Sequence, residues 1–195
     1  MRLNLLNAVL ITSATLLGGC APVIIGAAGT AAYMGVQERG IATAAEDTKL
    51  KAVIKTNLAN EKGGYLAKVG VMVLEGDVLL VGVVPTDKEK ARAEEITRQV
   101  KGVKGVYNEL LKGTYGIGDY TKDAWLTSKV RAGLIEAKDV YSINYMLETA
   151  LKQVYIMGIA QNEQERYRVL QIARSQEGAL GVYDFIKVLG TDTEK

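Results

Sequence analysis

The chain has 195 residues, 48% of them hydrophobic and 24% charged, a composition typical of folded proteins. Its 24 basic and 22 acidic residues give a net charge of +2, so the charge balance indicates no nucleic acid partner. It has no histidine and one cysteine, which excludes zinc sites, Ser-His-Asp or Cys-His catalysis and disulfide frameworks. Because no carboxylates, lysines or tyrosines cluster in a recognisable catalytic pattern, we expect a non-enzymatic protein without a metal or other cofactor.

The first residues have the pattern of a secretory leader. A basic n-region precedes an apolar stretch, which ends in Leu17-Gly18-Gly19-Cys20. These four residues resemble the bacterial lipobox. The resemblance implies a signal peptide over 1–19, a diacylglycerol on the Cys20 thiol and an N-acyl chain such as palmitate on the new amine. The alternative is an uncleaved anchor or a chance cysteine, but the leader is shorter and more polar than the ~20 apolar residues of a membrane span.

The segment after the cysteine, residues 20–47, is predicted to be a lipidated tether rich in Ala and Gly. Its apolar part, 23–36, carries no charge and is too short to span a bilayer, so it serves as a linker or lies against the membrane surface. Ala21 stands where lipoproteins retained at the inner membrane of Gram-negative bacteria carry Asp. By that analogy we expect an outer-membrane lipoprotein on the periplasmic face.

The rest of the chain contains an internal repeat. A shift of 76 residues aligns many identical residues without a gap. The aligned pairs include Leu50 with Leu126, Leu58 with Leu134, Gly82 with Gly158, Arg92 with Arg168, and Gly105-Val106-Tyr107 with Gly181-Val182-Tyr183. The sequence therefore contains two copies of one small domain.

Each copy is predicted to begin with a helix and a strand. In the first copy Leu50, Ile54 and Leu58 recur with helical spacing, and Gly63-Gly64 ends the helix. Alternating valines over 69–73 then predict a strand. In the second copy, the same helix carries Leu126, Val130, Leu134 and Ala137 as its core stripe.

A hairpin, a second helix and a last strand complete the predicted copy. Gly76-Asp77 predicts a two-residue turn before a strand over 78–84, whereas Lys152-Gln153 replaces this pair in the second copy. Thr86 with Glu89, and Asn162 with Glu165 in the second copy, have the spacing of helix N-caps.

We therefore predict an α+β fold of two tandem α-β-β-α-β domains, each a small sheet with two helices on one face. The predicted boundaries are 48–113 and 121–190, with a tail over 191–195. The glycine-rich linker 114–120 is expected to act as a flexible hinge. Packing between the copies is plausible because each is near the lower size limit for an independent core.

The residues Val81-Gly82-Val83-Val84 and Gly102–Glu109, with their counterparts around Gly181-Val182, resemble the BON domain family. A lipobox followed by two tandem copies is similar to dual-BON outer-membrane lipoproteins. The resemblance implies the two-domain α-β-β-α-β fold and a non-enzymatic periplasmic protein that supports envelope integrity. It also implies that the second domain binds anionic phospholipid.

Helix geometry selects a candidate binding face on the first helix of the second domain. At about 100° per residue, Trp125 lies away from the core stripe, and its partner in the repeat is Lys49, a residue type almost never buried. Such a tryptophan near basic residues is typical of a membrane interface. The predicted phospholipid-binding residues are Trp125, Lys129, Ile135, Lys122, Arg131 and Ala132.

Two alternatives stay open from the sequence. Trp125 could instead pack on the first domain or on the linker residues Tyr115 and Tyr120, since small two-domain proteins often bury such a residue between domains. The same face could also bind an envelope protein, in which case the chain is a periplasmic adaptor. We accordingly expect the membrane and anionic phospholipids as partners, with envelope proteins as further candidates.

Overall fold

The computed structural model describes residues 41–190, and the predictions for the signal peptide, Cys20, most of the tether and the tail 191–195 lie outside these residues. Within the described range, no helix is long and apolar enough to cross a membrane.

Two copies of the same element order follow one another along the chain. The first copy consists of α1 (Ile41–Ala59), a 3-10 helix (Tyr65–Lys68), β1 (Gly70–Leu74), β2 (Asp77–Val84), α2 (Asp87–Arg98) and β3 (Gly105–Lys112). The second consists of α3 (Ile117–Glu136), a 3-10 helix (Ser142–Asn144), β4 (Tyr145–Ala150), β5 (Gln153–Ala160), α4 (Glu163–Arg174) and β6 (Gly181–Val188). The predicted α-β-β-α-β order is confirmed in both.

Each copy forms a three-stranded sheet with the hairpin's second strand in the centre. β2 pairs antiparallel with β1 and parallel with β3, and β5 does the same with β4 and β6. The parallel pairing requires the crossover through α2 or α4. Both crossover helices begin at the predicted N-caps, where Thr86 accepts from the Lys88 N–H at 3.2 Å and Asn162 from the Glu165 N–H at 2.9 Å.

Two helices cover one face of each sheet, as predicted, and form an apolar core there. In the second copy the stripe Leu126, Val130 and Leu134 is at most 3% exposed and packs on β4, β5 and α4. In the first copy Ile54 and Leu58 are fully buried against the sheet and α2. Burial of these stripes fixes which side of α1 and α3 faces outward.

The other faces of the two sheets pack against each other and form a third apolar core. This central cluster consists of Met72, Leu74, Leu79, Val81, Ala150, Tyr155, Met157 and Ile159. Its edges carry an aromatic contact between Tyr107 and Phe185, whose ring centroids are 5.3 Å apart, and an ion pair from Lys187 to Glu75 and Asp77, both at 3.1 Å. β2 contacts β4 and β1 contacts β5, which are equivalent pairs when the copies are exchanged, so the copies are related by an approximate two-fold axis.

The structure corrects the predicted hairpin turns by one residue. The turn of the first copy is Glu75-Gly76, because Asp77 already pairs with Leu74, and the turn of the second is Leu151-Lys152. Both residues of each turn have positive φ, as a type I′ turn requires: 55° and 87° in the first copy, 48° and 62° in the second. The second turn therefore keeps this geometry without any glycine.

Two helices begin earlier than the predicted domain boundaries. α1 starts at Ile41, inside the predicted tether, and α3 starts at Ile117, inside the predicted hinge 114–120. Gly116 is the N-cap of α3 and donates its N–H to the Asp119 carboxylate at 3.2 Å. The linker is therefore shorter than expected, because its second half is the first turn of a capped helix.

Candidate functional site

The outward face of α3 presents the predicted tryptophan to solvent. Trp125 and Ile135 are each 66% exposed, whereas Leu126, next in sequence to Trp125, is 3% exposed. Trp125 is thus not buried between the domains or under the linker tyrosines. Its helix is held by the buried stripe, so the indole projects from a rigid element.

Basic residues flank this face, and they differ in their contacts. Lys122 and Arg131 are exposed. Ala132 is exposed as well and lies about two helical turns after Trp125, on the same outer side of α3. Lys129 is half-buried, and its ammonium donates to the backbone carbonyl of Glu177 at 2.7 Å. Lys129 therefore joins α3 to the loop after α4, and only part of its donor capacity is available to a headgroup.

Sequence reasoning missed two exposed residues at the start of this helix. Ile117 is 87% exposed and Tyr120 is 64% exposed. At 3.6 residues per turn, Ile117 lies five turns before Ile135 on the same side of α3. Both residues were assigned to a hinge, although the Gly116 and Asp119 spacing is a capping signal that would have placed them on the helix.

Sequence reasoning also missed a buried acid on α3, beneath the candidate binding face. Asp123 is 3% exposed and accepts the N–H groups of Leu151 and Lys152 at 2.7 and 2.8 Å. The Tyr115 hydroxyl donates to the same carboxylate at 2.7 Å. Asp123 thus connects α3, the β4–β5 turn and the linker.

The first copy contains the same contact. Asp47 is 5% exposed, and its carboxylate accepts the N–H groups of Glu75 and Gly76 at 2.8 and 3.0 Å. The shift of 76 residues aligns Asp47 with Asp123, which was the signal that could have revealed both. Because a buried carboxylate on each first helix caps the hairpin turn, these acids have a structural role in both copies.

Burial and the Asp123 carboxylate both raise the pKa of Tyr115 above its ordinary value. The phenol therefore stays protonated at neutral pH and keeps its hydrogen bond to Asp123. The Tyr115 ring also makes an edge contact with Tyr120, with ring centroids 6.4 Å apart. The linker is in this way attached to the N-terminal half of α3.

Glu148 is an acid that lies at the boundary between the two domains and is largely removed from solvent. Glu148 on β4 faces the first strand of the other sheet, and a Cβ at Gly70 would lie 3.1 Å from its carboxyl carbon. Burial raises the pKa of Glu148, while Lys51, Lys55 and Arg131 oppose that rise. The equivalent residue in the first copy is Met72, which is 1% exposed in the central cluster.

The described residues contain no group of three or more acidic or cysteine side chains that could hold a metal ion. The candidate site consists of an exposed indole, aliphatic side chains and cations on one helix.

The fold and this face define a protein of two tandem helix-covered sheets, with an exposed tryptophan on the first helix of the second domain. The model of the BON domain matches residues 46–111 and again residues 122–190. The chain therefore belongs to the BON domain family. This agrees with the resemblance noted from the sequence.

The chain is similar in sequence to three bacterial proteins. The outer membrane lipoprotein DolP of Haemophilus influenzae is 32% identical over 146 residues, covering 70% of this chain and 75% of the relative. An uncharacterized protein from the gshII 5′ region of Anaplasma centrale is 29% identical over 138 residues, with coverages of 70% and 91%. A 21 kDa hemolysin of Actinobacillus pleuropneumoniae is 28% identical over 127 residues, with coverages of 63% and 64%.

Proposed function

We propose that the chain is an outer-membrane lipoprotein, anchored through Cys20, whose second BON domain binds anionic phospholipid and supports envelope integrity. It does so without catalysis. The similarity to an outer membrane lipoprotein supports the location. The observation that carries the binding proposal is the position of Trp125, two-thirds exposed on a helix whose opposite side is fully packed.

The chemistry of the α3 face suits the interfacial region of a bilayer. An indole has an apolar body and a polar N–H, and therefore prefers the headgroup level. Ile135 and Ile117 extend the apolar contact along the helix, and Lys122 and Arg131 are placed to meet lipid phosphates. Lys129 contributes to docking through the donors that Glu177 does not use.

The expected affinity of the face alone is weak. Burying about half of a tryptophan surface contributes roughly 2–3 kcal/mol, and two cations add about 1 kcal/mol each near an anionic membrane. A total near 5 kcal/mol corresponds to a sub-millimolar Kd. The lipid on Cys20 compensates, because it confines the domain to the surface and raises the effective concentration of headgroups.

Vesicle binding tests this proposal directly. Residues 21–195, which lack the lipid, should bind vesicles containing phosphatidylglycerol more tightly than vesicles of phosphatidylcholine alone. Trp125→Glu should weaken binding at least about tenfold, because it removes the inserted indole and adds a repelled charge. Tyr167→Glu is the matched control, since Tyr167 is an equally exposed aromatic, 63%, on α4 of the same domain.

Equal binding by wild type and Trp125→Glu, or equal binding to both vesicle types, would end the proposal. The adaptor alternative has its own readout. A photo-crosslinker placed at position 125 in cells should give lipid adducts if the face docks on the bilayer. One dominant protein adduct would instead favour an envelope protein as the partner of this helix.

A further inference from the structure

A groove of about 660 Å³ runs along the first domain, between the N-terminal half of α1 and the loop from α2 to β3. Its apolar surface is formed by Leu50, Val53 and Val100, and Val53 is 48% exposed although it is aliphatic. Three lysines balance three acids in its charged lining, which consists of Lys49, Lys101, Lys104, Glu46, Asp47 and Glu75. The occupant that fits this groove is therefore apolar and carries no charge.

The second domain closes the equivalent place with its own side chains. Lys129, the counterpart of Val53, donates to the Glu177 carbonyl at 2.7 Å. The two domains also differ in what precedes their first helices. Only residues 113–116 separate β3 from α3, whereas the uncharged apolar segment 23–36 precedes α1 with four residues between them. The apolar groove thus occurs in the domain that an apolar segment precedes.

The start of α3 shows how the chain can reverse before such a helix. Gly116 is the N-cap of α3, and Tyr115, one residue earlier, donates to Asp123 in the second turn of the helix at 2.7 Å. The repeat aligns Gly40 with Gly116, and the groove lining begins at Thr43 in the first turn of α1. A reversal at Gly40 would therefore lead the preceding chain back along α1 and its groove.

The length of the groove fits a short stretch of the apolar segment. Thr43 and Val53 are ten residues apart on α1, which corresponds to about 15 Å along the helix. An extended chain covers this distance with about five residues. If residues 37–40 make the reversal, the next five are 32–36, which include Tyr33, Met34 and Val36.

We propose that residues 32–36 of the same chain dock in the first-domain groove. Their apolar side chains cover Val53 and its neighbours, and their lack of charge matches the balanced lining. With the anchor of the proposed function at Cys20, docking leaves residues 21–31 as the connection to the membrane, which span at most about 40 Å, instead of about 70 Å for 21–40. The docked segment then holds the domains near the membrane. This consequence rests on the proposed function, whereas docking itself does not.

The test compares residues 21–195 with residues 41–195, which retain the helices, strands and apolar cores of both domains. The amide chemical shifts of Leu50, Val53 and Lys101 should differ between the two proteins. A peptide of residues 21–40 added to 41–195 should move the same amides in the same direction. At the millimolar effective concentration that a short connection provides, a peptide Kd of about 0.1 mM means that about nine tenths of the intact molecules are docked.

A substitution in the groove tests whether the segment docks there. Val53→Lys introduces the residue of the second copy and should abolish the shift differences at Leu50 and Lys101, because it places a charge on the apolar surface. Val53 is half-exposed, so the variant should keep its fold. Leu180→Lys is the matched control, since Leu180 is an exposed aliphatic residue, 76%, of the second domain, and it should leave the differences unchanged.

Substitutions in the segment test its register. In the peptide, Tyr33→Ser with Met34→Ser should weaken binding at least about tenfold, whereas Val23→Ser with Ile24→Ser should bind as the wild type does. Equal shifts of 21–195 and 41–195 in the groove, or an equal loss in either control, would overturn the proposal. Shift differences that disappear on dilution would overturn it as well, because they would show docking into a second copy of the chain.

Discussion

Replacing Asp123 by asparagine should destabilise the second domain, although the side chain keeps its size. The carboxylate accepts from the Leu151 and Lys152 N–H groups and from the Tyr115 hydroxyl, at 2.7 to 2.8 Å. An amide has one acceptor oxygen, so its NH₂ group must face one of these donors. The buried donor left without a partner costs about 1–3 kcal/mol, and the other two bonds lose the strengthening that a charged acceptor provides.

We therefore expect Asp123→Asn to lower the free energy of unfolding by roughly 2–4 kcal/mol. With a urea m-value near 2 kcal/mol/M, the unfolding midpoint falls by about 1–2 M. Circular dichroism during urea titration measures this shift. Hydrogen exchange gives a local readout, because the amides of Leu151 and Lys152 should exchange more than about tenfold faster than in the wild type.

A compensating change tests whether the turn is the reason. Leu151 and Lys152 hold positive φ at a cost of about 1 kcal/mol each, whereas Asn-Gly adopts a type I′ turn readily. Leu151→Asn with Lys152→Gly should recover about 1–2 kcal/mol in the Asp123→Asn background. An unchanged midpoint for Asp123→Asn, or protected turn amides in that variant, would refute the account of Asp123 as the cap of this turn.

Two further predictions concern packing and pH. Gly158→Ala should destabilise the protein by about 3 kcal/mol or more, because the added Cβ would overlap the carbonyl of Asn144, the last residue of the 3-10 helix before β4. Gly118→Ala, in open space on α3, should instead be neutral or stabilising by up to ~1 kcal/mol, and thermal unfolding of the two variants checks both. Glu148→Gln should stabilise the protein at neutral pH, because burial raises the pKa of this carboxyl in the folded state and its ionised form is therefore disfavoured there. The variant's gain in unfolding free energy should be present above the raised pKa of Glu148 and should vanish as pH falls below the ordinary value of 4.5. The urea midpoints of the wild type and Glu148→Gln, measured from pH 4 to 8, should therefore converge at the acidic end. A difference between the midpoints that stays constant with pH would contradict the reasoning.

Much of the fold could be predicted because the repeat supplied two independent patterns for each element. Helical spacing of Leu126, Val130 and Leu134 determined which side of α3 is buried, and the outward position of Trp125 followed from it. The N-caps at Thr86 and Asn162 were visible because a short polar side chain three residues before an acid is characteristic of a helix start.

The contacts that sequence reasoning missed are those between elements distant in the chain. Nothing local to Asp123 reveals that its partners are Leu151 and Lys152, since the turn lies 28 and 29 residues away. Similarly, the second face of each sheet is apolar because the other copy covers it, as with Met72 and Met157 in the central cluster. The hairpin was misplaced by one residue because Gly76 is compatible with either position of a two-residue turn.

Comparison of the two copies separates residues that maintain the fold from residues that distinguish the domains. Asp47 and Asp123 are identical and buried, and each caps its hairpin, so their agreement follows from a shared structural requirement. Lys49 and Trp125 occupy equivalent exposed positions where the fold imposes no residue type. The fold therefore permits this difference, and we expect the first helices of the two domains to contact different partners.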